Sequence, residues 1–410
     1  MRVLALSIYP YLCFALFFVL PFDDYFRALP NILFLALGVL FPFVLEAKDL
    51  RRIGRSPWLM VLIFLGFVVG QSLLLGRFEQ DFVVIQKMLL AGAMSLLLFP
   101  VRDNRTLMHG VIYSSVAAVF YSLVRLLILL NQGAEFGFLE SAHIIEALLM
   151  ERLYLGLLSV LSIIFSYRLL RAQYDPNNGY YLFNIVLQAA FILFLVSRIA
   201  IVVLLMCFAL SLWYRQKRGP QLLFFGGSIA LIVALAFVLS NDLRKQFFYN
   251  NNPEHQEGLL ANTMALEPRM VIWDCALKIA DSHTVGLSGN GFTQTNRDML
   301  ACYESDIDNP VKKSWFLTKK YNVHNQFLDL YLGSGIFALI LFAAGLMLVL
   351  WRHRQALYPT ALMLSAVIFL MAENVFHRQL GAYYMGLIWA LLMFMPQSGP
   401  KEKIDKPAKD

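Results

Sequence analysis

Three basic side chains stand out in a chain poor in charge: Arg198 within the long apolar stretch Tyr180–Tyr214, Arg269 after Pro268, and His324 just ahead of another apolar run. A guanidinium is a permanently charged planar fork whose N–H donors match phosphate in bidentate fashion. Amid apolar sequence it costs roughly 3 kcal/mol at a helix centre, so Arg198 should face a cavity or lie at a membrane face. An interfacial arginine reaching lipid headgroups is its plain alternative. Pro268 suits a first helical turn, and Met270, Val271, Cys275, Ile279 and Ala280 keep a helical apolar period. Arg269 and Trp273, four apart, then share a face near a helix start, where free N–H groups and a cation suit a phosphate. A surface arginine stacked on Trp273 is the alternative there. His324, in Asn322-Val-His-Asn-Gln-Phe-Leu328, opens a helix at the edge of an apolar run. A neutral imidazole can take a proton near pH 7, as a general base must; a boundary histidine that anchors the helix end is the competing reading.

Other chemistries find little support. His255, His283, His324 and His377 have no ligand spacing such as H-E-x-x-H, and neither G-x-S-x-G nor a paired Cys/His motif is present. Neither metal nor cofactor is called for. The stretch Val285-Gly-Leu-Ser-Gly-Asn-Gly-Phe292 lacks a preceding strand, so it reads as a loop that brings backbone close to another element, not as a nucleotide cradle.

The elements that must position these residues are membrane helices. Apolar residues make up 59% of the 410 and charged residues only 15%, against about half and a quarter in soluble domains. The apolar residues gather into runs long enough to cross a bilayer, near 3–20, 29–45, 57–75, 84–100, 108–130, 152–171, 180–196, 199–214, 221–240, 329–351, 356–372 and 379–396. The expected fold is an all-α polytopic membrane protein with about 12 transmembrane helices, all backbone groups being satisfied within each span. The first run, followed by Pro21-Phe-Asp-Asp24, is read as a retained span, not a cleaved signal.

Tyr180–Tyr214 is the ambiguous stretch. As one helix its 35 residues would reach about 52 Å, well beyond a hydrocarbon core of about 30 Å. Arg168 and Arg171 precede it, and Arg215, Lys217 and Arg218 follow. Both clusters belong on the cytoplasmic side, which requires an even number of crossings between them. Two spans meeting at Ser197–Arg198 satisfy this and bring Arg198 to the outer face. The same rule places Lys48, Arg51, Arg52, Arg55, Arg102, Arg105, Arg352, Arg354 and both termini inside. The net charge of +7 therefore reflects topology, not nucleic acid. The chain divides into spans 1–9 (residues 1–240), a large periplasmic loop containing short helices (241–328), spans 10–12 (329–396) and a cytoplasmic tail (397–410). Cys275 and Cys302 both fall in that loop, where a bridge and two free thiols are both open.

Taken in order, these motifs resemble the membrane O-antigen ligases and related polysaccharide polymerases. Ser197-Arg198 opening a span, Arg269-x-x-x-Trp273 with the glycine stretch to Phe292, and His324-Asn-Gln-Phe-Leu328 followed by Gly333-x-Gly335 are similar to the family's segments. The resemblance covers roughly Ser197 to Leu350. It implies a bacterial inner-membrane glycosyltransferase taking a polyprenyl-diphosphate-linked glycan as donor and a lipid-linked saccharide, the sugar core of lipid A, as acceptor. It further implies inversion at the anomeric carbon without metal. His324 would be the base, with Arg198 and Arg269 on the diphosphate and Trp273 in support. By their position near the outer face, Arg378 could add a third cation on the diphosphate and Tyr321 and Asn325 could hold His324, with interfacial anchoring as the alternative for all three. Glu373, His377 and Arg378 flank the last span and read otherwise as interfacial anchors. A polymerase that extends the glycan on its carrier is the nearest alternative; the short outward loop at 131–151 favours a ligase. A lipid-linked glycan transporter is the different-class alternative, and neither an internal repeat nor deep charges other than Arg125 support it.

Overall fold

A computed structural model describes residues 2–101, 103–131, 148–171, 173–195, 197–214, 268–281 and 285–394. Every regular element among them is helical. In chain order these are α1 (Arg2–Val19), α2 (Leu29–Val44), α3 (Ala47–Gly54), α4 (Trp58–Leu74), α5 (Phe78–Leu97), α6 (Asn104–Asn131), α7 (Arg152–Leu169), α8 (Asn177–Phe194) and α9 (Arg198–Tyr214). After these come α10 (Pro268–Asp281), α11 (Phe292–Asp306), α12 (Pro310–Lys319), α13 (Gln326–His353), α14 (Leu357–Ala372) and α15 (Gln379–Met393). The expected ninth span at 221–240, most of the loop at 131–151, the first part of the large loop and the tail from 397 lie outside the described residues.

By length and apolarity five segments among the described residues can cross a bilayer: Arg2–Phe22, Phe78–Leu97, Asn104–Leu129, Arg152–Leu169 and Gln326–His353. Trp58–Leu74, Arg198–Tyr214, Leu357–Ala372 and Gln379–Met393 are shorter apolar helices. Large apolar side chains such as Val3, Leu35, Leu74 and Val186 point outward from the bundle, a surface unfavourable in water and suited to lipid. The helix expected from about residue 84 begins at Phe78 instead. Its first turn carries Glu79 and Asp81, which hydropathy excludes from a span but which a helix N-terminus favours.

The stretch Tyr180–Tyr214 is broken as expected: α8 ends at Phe194 and α9 begins at Arg198. Its polar residues have partners inside the bundle. Asn184 donates to Ser162 and Ser166 at 2.9 and 2.8 Å, and Gln188 donates to Ser115 at 2.9 Å, tying α8 to α6 and α7. Interhelical hydrogen bonds of this kind hold helices together where lipid supplies no hydrophobic drive.

Pairwise packing aligns the helix ends. α5 and α15 run parallel, since the Phe99 and Phe394 rings meet at 4.5 Å beyond their C-termini while Arg378, at the start of α15, lies in Coulombic range of Lys87, midway along α5. α9 and α14 run antiparallel: Tyr214 reaches the Arg354 carbonyl and Thr360, and Cys207 reaches Ser365. The starts of α5, α7, α9, α13 and α15 and the end of α14 therefore share one face. Arg52, Arg168 and Arg354 mark the opposite face, where Arg52 donates to the Phe394 carbonyl and Arg168 lies over the Tyr358 ring.

Candidate active site

His324 stands in the short segment between α12 and α13. Asn325 starts that helix as its N-cap, its side-chain oxygen accepting from Phe327 N and Leu328 N at 3.0 and 3.2 Å. The turn leading in is tight: the His324 N–H donates to Asn322 Oδ1 at 3.2 Å, and His324 takes a φ of +46°. Left-handed backbone is uncommon outside glycine, though histidine is among the residues enriched there, and such conformations cluster at functional sites. The conformation turns the imidazole back toward the end of α14. There His324 Nδ1 lies 3.0 Å from Glu373 Oε2. The Tyr321 ring lies 5.5 Å from the His324 ring and is itself seated among Trp315 and Phe316.

Glu373 is buried. Burial alone would raise its carboxyl, but the hydrogen bond and charge of His324, with Arg378 and Arg269 in Coulombic range, hold it below the ordinary glutamate value. A carboxylate at Nδ1 selects the tautomer whose Nε2 lone pair points away, the arrangement a general base needs. The sequence offers Glu373 as a second-tier candidate near the outer face, with interfacial anchoring as its plainer reading. Its pairing was missed because 49 residues separate it from His324; the one available signal was an acidic residue between two apolar runs.

Three of the basic residues singled out from sequence converge on Glu373: His324 by contact, Arg269 and Arg378 by field. Arg378 Nη1 also pairs with Glu151 Oε1 at 2.6 Å while staying half exposed. Burial raises the Glu151 carboxyl, and Arg378 opposes that rise. Arg198 is reached by geometry of the helices. Counting from the Cys207–Ser365 contact, Arg198 lies nine residues toward the start of α9 and Glu373 eight residues toward the end of α14. In an antiparallel pair both travel about 12–14 Å in the same direction. Gly156 lets α7 come close to the start of α9, since a Cβ there would sit 2.8 Å from Ser197 Oγ. Trp273 is partly buried in the apolar cluster of the loop helices, with Ile272, Cys275 and Tyr303. Asn325 supports the site through the backbone: its side chain caps α13, and its N–H donates to Asn374 Oδ1 at 2.7 Å.

The glycine stretch is a backbone joint. α13 is broken at Gly335, with φ +79° and ψ −178°, a region essentially restricted to glycine. The break leaves helix carbonyls without their usual partners. Asn290 N and Gly291 N donate to Leu332 O and Gly333 O at 2.7 and 2.9 Å. A Cβ on Gly335 would lie 2.1 Å from Leu287 O, so the approach requires glycine. The other side of the loop is tied to α5. Arg77 donates to Ser288 O and Gly289 O, and Asp81, which hydropathy gave no role, accepts from Thr293 N at the start of α11.

Cys275 and Cys302 are joined as a disulfide, resolving the two readings in favour of the bridge and linking α10 to α11. Among the described residues the grouping with metal-ligand spacing is Cys275, Cys302 and Asp306, but its sulfurs are spent on each other.

A search of curated proteins finds no relative of this chain at significant similarity. Residues 183–343, which hold Arg198, Arg269 and His324, match the family described as O-antigen ligase, a family of membrane enzymes for glycan transfer. That match covers the part of the chain from α8 into α13, which is similar to the O-antigen ligases and lies within a helical membrane architecture.

Proposed function

We propose that this protein transfers a glycan from a polyprenyl-diphosphate carrier to a hydroxyl of a lipid-linked acceptor, the lipid A-core sugar, at the outer face of the bacterial inner membrane. The observation that carries the reading is the His324–Glu373 pair at 3.0 Å, with Arg269 and Arg378 within range of the same carboxylate. The orientation is supported by the separation of this pair from Arg52, Arg168 and Arg354, since basic clusters mark the cytoplasmic side.

In the proposed reaction the acceptor oxygen attacks the anomeric carbon on the face opposite the diphosphate. The new C–O bond forms as the bond to phosphate breaks, and the diphosphate leaves with the electron pair. His324 Nε2 takes the hydroxyl proton, while Glu373 stabilises the resulting imidazolium. Arg198, Arg269 and Arg378 balance the charge that builds on the leaving diphosphate, at a partly water-excluded site where such contacts count for more. A single displacement inverts the anomeric centre.

The test is reconstitution of purified protein with lipid-linked glycan and acceptor lipid extracted from the host membrane, without ATP. Glycan should appear on the acceptor, and His324→Ala should lose about 10²–10⁴-fold in rate. Full activity in His324→Ala defeats the mechanism. A lengthened glycan still on the polyprenyl carrier identifies a polymerase instead.

A further inference from the structure

A second histidine–carboxylate pair lies behind the first, with its polarity exchanged. His324, on the α13 side, pairs with Glu373 of the segment joining α14 to α15; His377, on that segment, pairs through Nε2 with Asp329 Oδ2 of α13 at 3.0 Å. Asp329 is fully buried, and its Oδ2 also accepts from Gln326 Nε2 at 3.2 Å. Gln326 in turn accepts from the Phe376 N–H through Oε1 at 3.0 Å. With the Asn325 N–H on Asn374 Oδ1, residues 373, 374, 376 and 377 are each hydrogen-bonded to the stretch 324–329. Phe292, seated on Gly333 at the broken part of α13, packs edge-on against the His377 ring.

A buried carboxylate is costly unless paired and hydrogen-bonded. An apolar residue at 329 would fill the space without that cost. The pair therefore serves register: two short polar segments can slide or rotate, and a cross-brace with one bond in each direction allows a single alignment. Glu373 and Arg378 bracket the braced residues, so the alignment of 377 with 329 sets where both project.

We propose that Asp329 and His377 are positioning residues that hold Glu373 against His324, with Gln326 as the bridge between them. This inference rests on the reading of His324 as base given above. It predicts that His377 acts through Glu373, not beside it.

The test is a double-mutant cycle in the transfer assay, using the full-length protein and the same extracted donor and acceptor lipids. His377→Ala should lower kcat by about 10- to 100-fold, with donor KM changed less than about threefold. In a Glu373→Gln background the same substitution should cost less than about threefold, because the geometry it protects is already without effect. His377→Gln, whose amide N–H can replace Nε2–H, should recover most of the rate. Asp329→Asn, which keeps the shape and removes the charge, enters the same cycle should His377→Ala fail to fold. Equal fractional losses in both backgrounds, or full activity in His377→Ala, overturn the proposal. Should His324→Ala itself retain activity, the underlying reading fails; an inactive His324→Ala with an additive cycle defeats the brace alone.

Discussion

His324 Nδ1 and Glu373 Oε2 meet at 3.0 Å across 49 residues of sequence, one from the segment that leads into α13 and the other from the end of an apolar helix. The contact makes an imidazole at a membrane face into a candidate base with a defined tautomer. Glu373→Gln keeps the size of the side chain but can donate where the carboxylate accepts. Transfer should fall about 100-fold or more, by analogy with triad carboxylates, with donor binding preserved. Separate measurement of kcat and KM for Glu373→Gln and the wild type checks this, and a Glu373→Gln enzyme with native kcat would contradict it.

The arginines are expected to act by bidentate contact, not by charge alone. Arg198→Lys and Arg269→Lys should each retain only a part of kcat/KM, because an ammonium cannot reproduce the planar fork. The corresponding alanine variants should be weaker still, and donor KM should rise in both. Equal activity of the lysine variants and the wild type would reduce these residues to generic cations.

The Glu373 carboxyl titrates below its ordinary value of 4.5 in the folded protein. A depressed carboxyl contributes stability that is present in full above the unfolded value and is lost as the pH falls through the folded one. Glu373→Gln should therefore lower Tm most at neutral pH, and the gap to wild type should close as the pH drops below about 4.5. Thermal unfolding in detergent across that range gives the comparison; a gap that is constant with pH would remove the ionised carboxylate from the account.

Gly335 provides a test of the backbone joint. Gly335→Ala forces a Cβ into the Leu287 carbonyl and a residue into glycine-only backbone, at more than about 2 kcal/mol. Tm should fall clearly. Gly345→Ala, where the new Cβ meets Met60 at an ordinary 3.7 Å, should leave it nearly unchanged. Similar Tm values for the two variants would argue against the joint.

The Cys275–Cys302 bridge closes a loop with a sequence separation of 27. Chain-entropy reasoning gives about 3–4 kcal/mol for such a loop. Cys275→Ser should speed limited proteolysis within the large loop while the membrane helices stay protected, and reductant should do the same to wild type but not to the variant.

Sequence reasoning reaches what is periodic or counted. The break before Arg198 follows from charge on either side of a run too long for one crossing, and the structure has it between Phe194 and Arg198. The glycine stretch is legible as a place of close backbone approach, though its partner, the broken turn of α13, is not, because nothing in Leu332-Gly-Ser-Gly335 distinguishes a kink from a small-residue packing face. The partner of His324 is invisible for a different reason. A carboxylate at a helix end is ordinary, and only the fold tells which of several acidic residues at that face will reach an imidazole. The role of Asp81 is hidden by hydropathy itself, which trims polar first turns off apolar helices.

The joint between the loop and α13 is made of main-chain atoms: Asn290 N and Gly291 N on the carbonyls of Leu332 and Gly333. Main-chain bonds are indifferent to side-chain identity wherever no Cβ intrudes. Side chains of the loop that lie outside these contacts can thus change, by drift or by engineering, without unseating the segment that delivers His324. On the proposed function, the loop is the part to exchange when donor or acceptor preference is to be altered, with its glycines kept fixed.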